Sequence, residues 1–547
     1  MQVVQNVRRP QIRDLDTLPL VDRSLIDYSA YHRFIGHAGA KHSIAVQATR
    51  GCPYRCFYCD VYKTAEHHKR RSVDSIFNEV RMLHDIGIRR IEFIDDIFNV
   101  KKKDFVEFFE RVLKHNLDLS FYFPTGLRGD LLDHAAIDLM VEAGAVGVNL
   151  SLEHAAPRMQ TLMGKHLDVD SLRETLSYIT QKHPSVILTL NAMHGFPTET
   201  EEEAMMTLDF IRSVKWIDFA YLHNVRIFPG TELETFALQN GVSQELIHQS
   251  QDMSYHESSP TLPFSKEFSH RVRTMFVKDY VLNRERLLSV IPRQLAHFSE
   301  DELNQKYNGY FPSKSVQTLD DVLRLARISR EELNASEIFD ESKIVVRDLN
   351  DRIRAAFGRD NDSAADEGRF KLLLVDFSSH FTGTGDTREY NVLEPPLGCM
   401  ALVSYLNLHI RDQLNARIIK PRIDFNSYEE FVALVEDFGP DLIGVRAMTF
   451  YQRFMHDGVA FLKDQGVEAP VILGGPYASE SYLEALADDN VSMCVIGEGE
   501  ETLLEIVTLM IANDKTLPPS DQWATIAGIA YRQAETALAA EKEKVLA

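Results

Sequence analysis

The sequence predicts an α/β protein: a partial (β/α)6 barrel, then a helical connector, then a doubly wound parallel sheet. Three observations carry that prediction. At ~150 residues per domain, 547 residues leave room for two to four domains. Short β-branched runs alternate with amphipathic stretches from about His42 to Leu233, and again from Lys371 to Ile511. Between them Gly358–Gly368, rich in Asp, Asn, Ser, Ala and Glu, has almost nothing apolar and reads as a flexible linker.

In chain order, residues 1–41 form a linker segment expected to pack on the carboxy-terminal domain. The barrel, 42–263, has strand candidates at Ser43–Thr49, Arg90–Ile94, Leu119–Phe123, Val146–Leu152, Val186–Met193 and Phe219–Ile227. Helix candidates alternate with them at Val73–Ile86, Lys103–His115, Asp133–Ala143, Ser171–Lys182 and Thr200–Ser213. Thr198-Glu-Thr-Glu201 supplies a cap and first-turn carboxylates to the last of these. Strands separated by such helices form right-handed βαβ units, and a barrel built from them carries its chemistry at the carboxyl ends of the strands. Residues 264–357, mostly helical from Phe264 to Phe339, form the connector, and 358–369 the linker. The second sheet, 370–535, has strand candidates at Lys371–Asp376, Arg417–Lys420, Asp441–Arg446, Pro470–Leu473 and Ser492–Ile496. Its helices are Leu397–Leu414, Tyr428–Asp437, Tyr451–Asp464, Ser479–Ala487 and Glu500–Ile511, and an Ala/Glu/Lys tail, 536–547, follows.

Composition narrows the function classes. The 44% hydrophobic and 26% charged fractions are those of a soluble globular chain. A net charge of −22 repels phosphate backbones, so nucleic acid is disfavoured as a partner, although a local basic patch stays compatible with it. Five cysteines, an odd number, do not make a disulfide framework and suit a reducing compartment. No apolar h-region lies in Met1–Asp14 and no run approaches the ~20 apolar residues that span a bilayer. The expected location is the cytoplasm, with no membrane partner.

Three of the five cysteines lie in Gly51-Cys-Pro-Tyr-Arg-Cys-Phe-Tyr-Cys59, directly after the first barrel strand. Thiolates of Cys52, Cys56 and Cys59 can converge on one face of a loop and bind three irons of a [4Fe–4S] cube, leaving the fourth iron open to a substrate. The same spacing also suits zinc, with Asp60, His67 or His68 as a fourth ligand. A place at the top of the first strand favours the cluster, because active sites lie there.

With that run in place, the segment resembles the radical S-adenosylmethionine (SAM) superfamily over about 200 residues. Tyr58 fits the aromatic beside the SAM adenine. Asp95 and Asp96, in Phe93-Ile-Asp-Asp-Ile-Phe98, match the strand end that meets the SAM amino group. Glu153, in Ser151-Leu-Glu-His154, matches the fourth-strand glutamate that holds ribose and methionine amine, with His154 replacing the usual serine. Lys165 stands where the family often sets a cation against the SAM carboxylate. Gly195-Phe-Pro-Thr-Glu-Thr200, preceded by His194, resembles the family's Gly-x-Pro-x-Glu-Thr, and Phe228-Pro-Gly-Thr-Glu-Leu233 its Pro-Gly-Thr turn. Taken singly, each also reads as a salt-bridge partner, a cap or a turn residue.

The later sheet resembles the Rossmann-like cobalamin-binding domain that accompanies one class of these enzymes. The resemblance rests on Pro395-Pro-Leu-Gly398, Pro440-Asp-Leu-Ile-Gly-Val445, Leu473-Gly-Gly-Pro476 and Gly497-Glu-Gly-Glu-Glu501. It implies corrin contacts from Gly398, Thr449, Gly474, Gly475, Gly497, Glu498 and Gly499. Other corrinoid domains carry Asp-x-His-x-x-Gly after their first strand. Here Asp376-Phe-Ser-Ser-His380-Phe-Thr-Gly383 displaces the histidine, so cobalamin without a protein imidazole and a fold that has lost its cofactor both stay open.

The resemblance as a whole is to cobalamin-dependent radical SAM enzymes with the B12-binding-like domain placed carboxy-terminally, on a TIM-like partial barrel. It implies a [4Fe–4S] cluster, SAM and cobalamin as cofactors, and an external one-electron reductant as partner. The implied activity is methyl transfer to an unactivated carbon of a small molecule or peptide, through a 5′-deoxyadenosyl radical and methylcobalamin. A non-methylating rearrangement, cyclisation or oxidation, and a cobalamin- or redox-sensing regulator, are the alternatives. In the resembled class the cobalamin domain usually comes first, and Ile12-Arg-Asp-Leu-Asp-Thr-Leu-Pro-Leu20 reads like the linker that follows it. A circular permutation is therefore expected, with Arg13–Ile26 packed near Thr525–Arg532 and the strand tops of both domains facing a shared cavity.

Overall fold

The computed structural model describes residues 2–61, 67–251, 263–311, 316–358, 368–382 and 392–533. Most of the expected 358–369 linker, Gly383 and the 536–547 tail lie outside the described residues. Two compact units divide the chain: residues 31–349 with 392–394, and residues 2–30 with 350–382 and 395–533. Strand β1 (Gln2–Gln5) belongs to the second unit. No helix among the described residues is long and apolar enough to cross a membrane.

The first unit is a six-stranded, all-parallel sheet in sequential order. Its strands are β2 (Ser43–Val46), β5 (Arg90–Phe93), β6 (Ser120–Leu127), β7 (Ala145–Glu153), β8 (Ile187–His194) and β9 (Phe219–Asn224). This is the partial (β/α)6 barrel. All four residues of β5 are buried, as helix-covered parallel strands require. Helices end where local chemistry ends them: Ser72 caps Val73–Ile86 and left-handed Gly87 (φ 112°) stops it. Thr200 and Glu203 close a reciprocal capping box on Glu201–Ser213.

The helices expected as a connector are part of this unit. Arg293, on helix Arg284–Leu295, forks onto the buried Asp218 at the start of β9 (2.8 and 2.7 Å). Arg286 donates to the carbonyl of Ile217 (3.1 Å) and to that of Asp218. Glu302, on helix Glu300–Asn308, holds Arg90 at 2.5 Å. These charges lie at the amino end of the strands, where removal from water demands partners, and the helices supply them. Glu92 on β5 is buried there too, accepting from Ser43 Oγ (2.6 Å) and the Ala38 amide (3.2 Å). Burial first, and the neighbouring Glu394 carboxylate second, raise its pKa to about 8.

A short hairpin, β3 (Thr49–Arg50) with β4 (Lys69–Arg70), follows β2 and brackets the cysteine segment.

The second unit is a seven-stranded sheet in the order β1-β15-β14-β13-β12-β10-β11. Its remaining strands are β10 (Phe370–Phe377), β11 (Leu414–Ile419), β12 (Leu442–Ala447), β13 (Val471–Gly474), β14 (Met493–Val495) and β15 (Ile529–Gln533). The five from β10 to β14 run parallel, and β15 and β1 add antiparallel at one edge. The chain leaves β10 for β11 on one side and returns to β12 on the other, so the ligand crevice of such a sheet falls between β10 and β12. Residues 2–9 reach the 523–533 region. Gln2–Gln5 pair with Ala530–Gln533, and Asn6 donates to the carbonyls of Trp523 (2.7 Å) and Ile526 (2.8 Å). The edge strand β15 had open hydrogen-bonding groups, and β1 satisfies them. Farther on, Asp22 donates its amide to Ser404.

Candidate active site

The cysteine loop is anchored at Phe57. Its amide donates to Met163 O (3.0 Å) and its carbonyl accepts from the Leu233 amide (2.9 Å). Its ring is buried among Met159, Met163, Phe196, Val225 and Leu233. One apolar residue inside the motif therefore fixes the loop to two later strand-top segments, leaving Cys52, Cys56 and Cys59 half-buried beside it. The Cys59 amide donates to Cys56 O (3.0 Å), so the chain turns tightly between the second and third thiols. Burial pushes the Cys52 thiol up to about 11 and raises Cys59 well above its usual range. It raises Cys56 as well, opposed by the Lys165 charge and by the Tyr58 hydroxyl. Metal binding must displace these protons, so cluster loading is favoured by rising pH. Among the described residues no three His, Cys, Asp or Glu side chains converge on a single ion. A cube, with one thiolate at each of three corners, does not require that convergence.

The strand-end carboxylates work on this loop. Asp95, 1% exposed, accepts at Oδ1 from the Ala48 amide (2.9 Å), the Thr49 amide and Thr49 Oγ1 (2.7 Å). Oδ1 is thus turned into the loop backbone, while Oδ2 is buried with no hydrogen-bond partner among the described residues. Asp96 is exposed, and Oδ2 accepts from the amide of left-handed Gly51 (φ 79°) at 3.0 Å.

Arg128, just past β6, was not foreseen. It forks onto Asp130 (2.9 and 2.6 Å), donates to Lys165 O (2.9 Å) and His166 O (3.0 Å), and stacks its guanidinium 4.1 Å from the Tyr54 ring centre. It thus ties the cysteine loop to the Lys165 segment. The run Thr125-Gly-Leu-Arg-Gly129 across the end of β6 was the available signal, since an arginine between glycines at a strand top has little packing reason.

Glu153 and Lys165 are brought together: Nζ lies 2.8 Å from Oε1, with both side chains largely buried. Glu153 ends β7 at φ 61°, beside an irregularity in the β7–β8 pairing, so the backbone is bent to present it. His154 is fully buried. Its Nδ1 accepts from the Ala156 amide (3.1 Å), which leaves the proton on Nε2 to donate to Glu199 (2.9 Å). Glu199 Oε2 in turn accepts from the amides of Gly195 (2.6 Å) and Phe196 (2.9 Å). The histidine in the serine's place is thus a brace for the Gly195 turn. Tyr58 packs edge-on to Phe196 (6.1 Å). His194 stacks on Phe264 (6.1 Å). The Phe228 carbonyl accepts from Thr231 Oγ1 (2.7 Å), and Thr231 caps helix Glu232–Gln239, so that turn orients a helix start.

In the second unit Gly474 ends a parallel strand, and Gly398, Thr449, Gly475, Gly497, Glu498 and Gly499 come after the carboxyl ends of parallel strands of the same sheet. A Cβ at Gly398 or Gly474 would meet no atom within 4 Å, so the chain's own packing does not require glycine at either position. Open backbone of that kind fits a bulky ligand laid on the edge. Glu498, however, accepts from the Ile12 amide (2.7 Å). At the crevice, buried Asp376 holds Lys420 (2.8 Å) and Arg446 (2.7 Å), and these charges keep its carboxyl well below the usual range despite burial. His380 packs against Tyr451 and Phe454 (5.0 and 4.7 Å).

Comparison with known proteins agrees with this layout. Residues 46–211 match the radical SAM superfamily model and residues 387–507 the B12 binding domain model. The chain is 28% identical over 240 residues to the uncharacterized methyltransferase PH0819 of Pyrococcus horikoshii, covering 43% of this chain and 49% of that one. It is 27% identical over 226 residues to the tRNA-2-methylthio-N(6)-dimethylallyladenosine synthase of Aquifex aeolicus (40% and 49% covered). The chain spans about half the length of these curated relatives. Among solved structures, the radical SAM methyltransferase TsrM of Kitasatospora setae, with cobalamin and [4Fe–4S] bound, is 20% identical at a TM-score of 0.33 (38% and 40% covered). The cobalamin-dependent enzyme OxsB, with aqua-cobalamin and SAM bound, is 13% identical at 0.36 (58% and 54%).

Proposed function

We propose, for a chain that carries a radical SAM domain followed by a B12-binding domain, that it is a cobalamin-dependent radical SAM methyltransferase acting on a carbon of a small molecule or peptide. The observation that carries the reading is the set of three half-buried thiols on a strand-top loop, with the Glu153–Lys165 pair close enough to act on Cys56. When bound, the cluster and SAM supply a 5′-deoxyadenosyl radical and cobalamin a methyl group; that hard chemistry is the cofactors' own. The chain does the rest. Cys52, Cys56 and Cys59 hold the cluster, Glu153 and Lys165 orient the amino-acid end of SAM, and Tyr58 with Phe196 walls its ring. Asp95, Asp96 and Arg128 keep the loop in position, and Gly398, Gly474 and Gly497 admit the corrin.

Anaerobically loaded protein should hold ~4 iron per chain and lose it on Cys56→Ala. With methyl-labelled SAM and candidate substrates it should release 5′-deoxyadenosine and a labelled product. Deoxyadenosine without a methylated product would replace this reading with non-methylating radical chemistry. Stoichiometric zinc with no iron would end it.

A further inference from the structure

The chain carries a charge of −22, yet two basic runs flank the cysteine loop: His67-His-Lys-Arg-Arg71 and Lys101-Lys-Lys103. The fold joins them. Arg70 pairs with Thr49 in the hairpin and donates to Phe98 O (2.7 Å), while His68 Nε2 lies 3.4 Å from Ile97 O. Several of these cations serve the fold: Arg70 packs on the Phe98 ring near Asp104, and Arg71 pairs with Glu79 at 2.5 Å. Lys101, Lys102 and Lys103 are exposed, as is Arg55 inside the cysteine loop. Lys102 pairs with the exposed Asp133, and Asp96 at the end of the strand is exposed as well. The helix Lys102–Lys114 starts at Lys101 with no side-chain cap. Lys101 and Lys103, at the positive end of this helix, oppose its dipole, so helix stability gives no reason for them.

We propose that this surface docks an acidic one-electron carrier protein that reduces the cluster, an inference that rests on the iron–sulfur reading above. Thr49, on the strand leading into Cys52, donates its Oγ1 to Ile97 O at 3.2 Å, so the Ile97–Phe98 segment that precedes the lysines adjoins the start of the cysteine loop. A carrier seated there brings its redox group beside the thiols. Elsewhere the chain's own field repels an acidic protein, so the patch selects orientation as well as partner. Nucleic acid fits less well: duplex binders neutralise about 6–10 phosphates, more than these few free cations supply.

The test uses the iron-loaded full chain and reduced flavodoxin as probe, following bleaching of the cluster. At about 10 mM ionic strength, Lys101→Glu/Lys103→Glu should slow reduction by at least about tenfold, and at about 1 M the difference should vanish. The neutral pair Lys101→Gln/Lys103→Gln should give a smaller slowing of the same sign. Iron content and reduction by dithionite should be unchanged in both. Wild-type reduction rates in the charge-reversed variant at full iron content would overturn the proposal. So would loss of binding to a tRNA transcript in a variant that flavodoxin still reduces normally. A chain that takes up no iron would instead remove the cluster reading beneath it.

Discussion

Replacing Arg128 with alanine tests whether one side chain holds the cysteine loop and the Lys165 segment together. Arg128 and Asp130 have only 8% of their side chains exposed, and the guanidinium makes two further bonds to Lys165 O and His166 O. Removing one partner of a buried pair costs about 3–5 kcal/mol, because the remaining charge is stranded. At roughly 2–4 °C per kcal/mol in a unit of this size, Arg128→Ala should lower the barrel's unfolding midpoint by about 10 °C. Arg128→Lys keeps the charge but loses the fork and should fall between. In the double variant with Asp130→Asn no charge is stranded, so the loss should be smaller than the sum. The assay is anaerobic thermal unfolding of the metal-free chain, with SAM affinity measured separately on iron-loaded protein. SAM should bind at least about tenfold more weakly to Arg128→Ala, since the Lys165 segment loses its tether. An unchanged midpoint together with unchanged SAM affinity would refute the tether.

Lys165→Ala removes one charge-assisted bond worth about 1.5–3 kcal/mol, so SAM affinity by equilibrium dialysis should fall about 10–100-fold. Glu92 is protonated in the fold where it is ionised in the unfolded chain, between its usual range and about pH 8. It faces Glu394, His37, Ser43 and Lys306, and stability should fall by about 1.4 kcal/mol per pH unit as pH rises through that window. Glu92→Gln should flatten that slope in urea titrations. Asp376 is shifted the other way, so the stability it contributes is present above pH ~4 and lost as pH falls. Asp376→Asn should lose about 3–5 kcal/mol at pH 7, show a shallower acid transition, and weaken hydroxocobalamin retention on a sizing column.

Much of the protein was legible in the sequence because the controlling signals are local. Periods of 2 and 3.6, with Ser72, Gly87 and Thr200 at helix ends, set the strands and helices of both sheets. The cysteine spacing, together with its place after the first strand, pointed to the cluster loop. The four-residue strand β1 was too short for any period, and its partner lies more than five hundred residues away. The same limit applies in the site. That Asp95 braces Ala48 and Thr49 and that Glu498 accepts from Ile12 depends on segments far apart in the chain, and Arg128 gave no periodic signal. Which segments become strands, helices and the thiol-bearing loop is written locally along the chain, because turn chemistry and side-chain period act over a few residues. Which charges face one another emerges from packing alone: Glu153 with Lys165, Arg128 with Asp130, and Asp376 with Lys420 and Arg446. The reason is physical. A buried charge is tolerated only beside its partner, and packing, not chain proximity, chooses that partner.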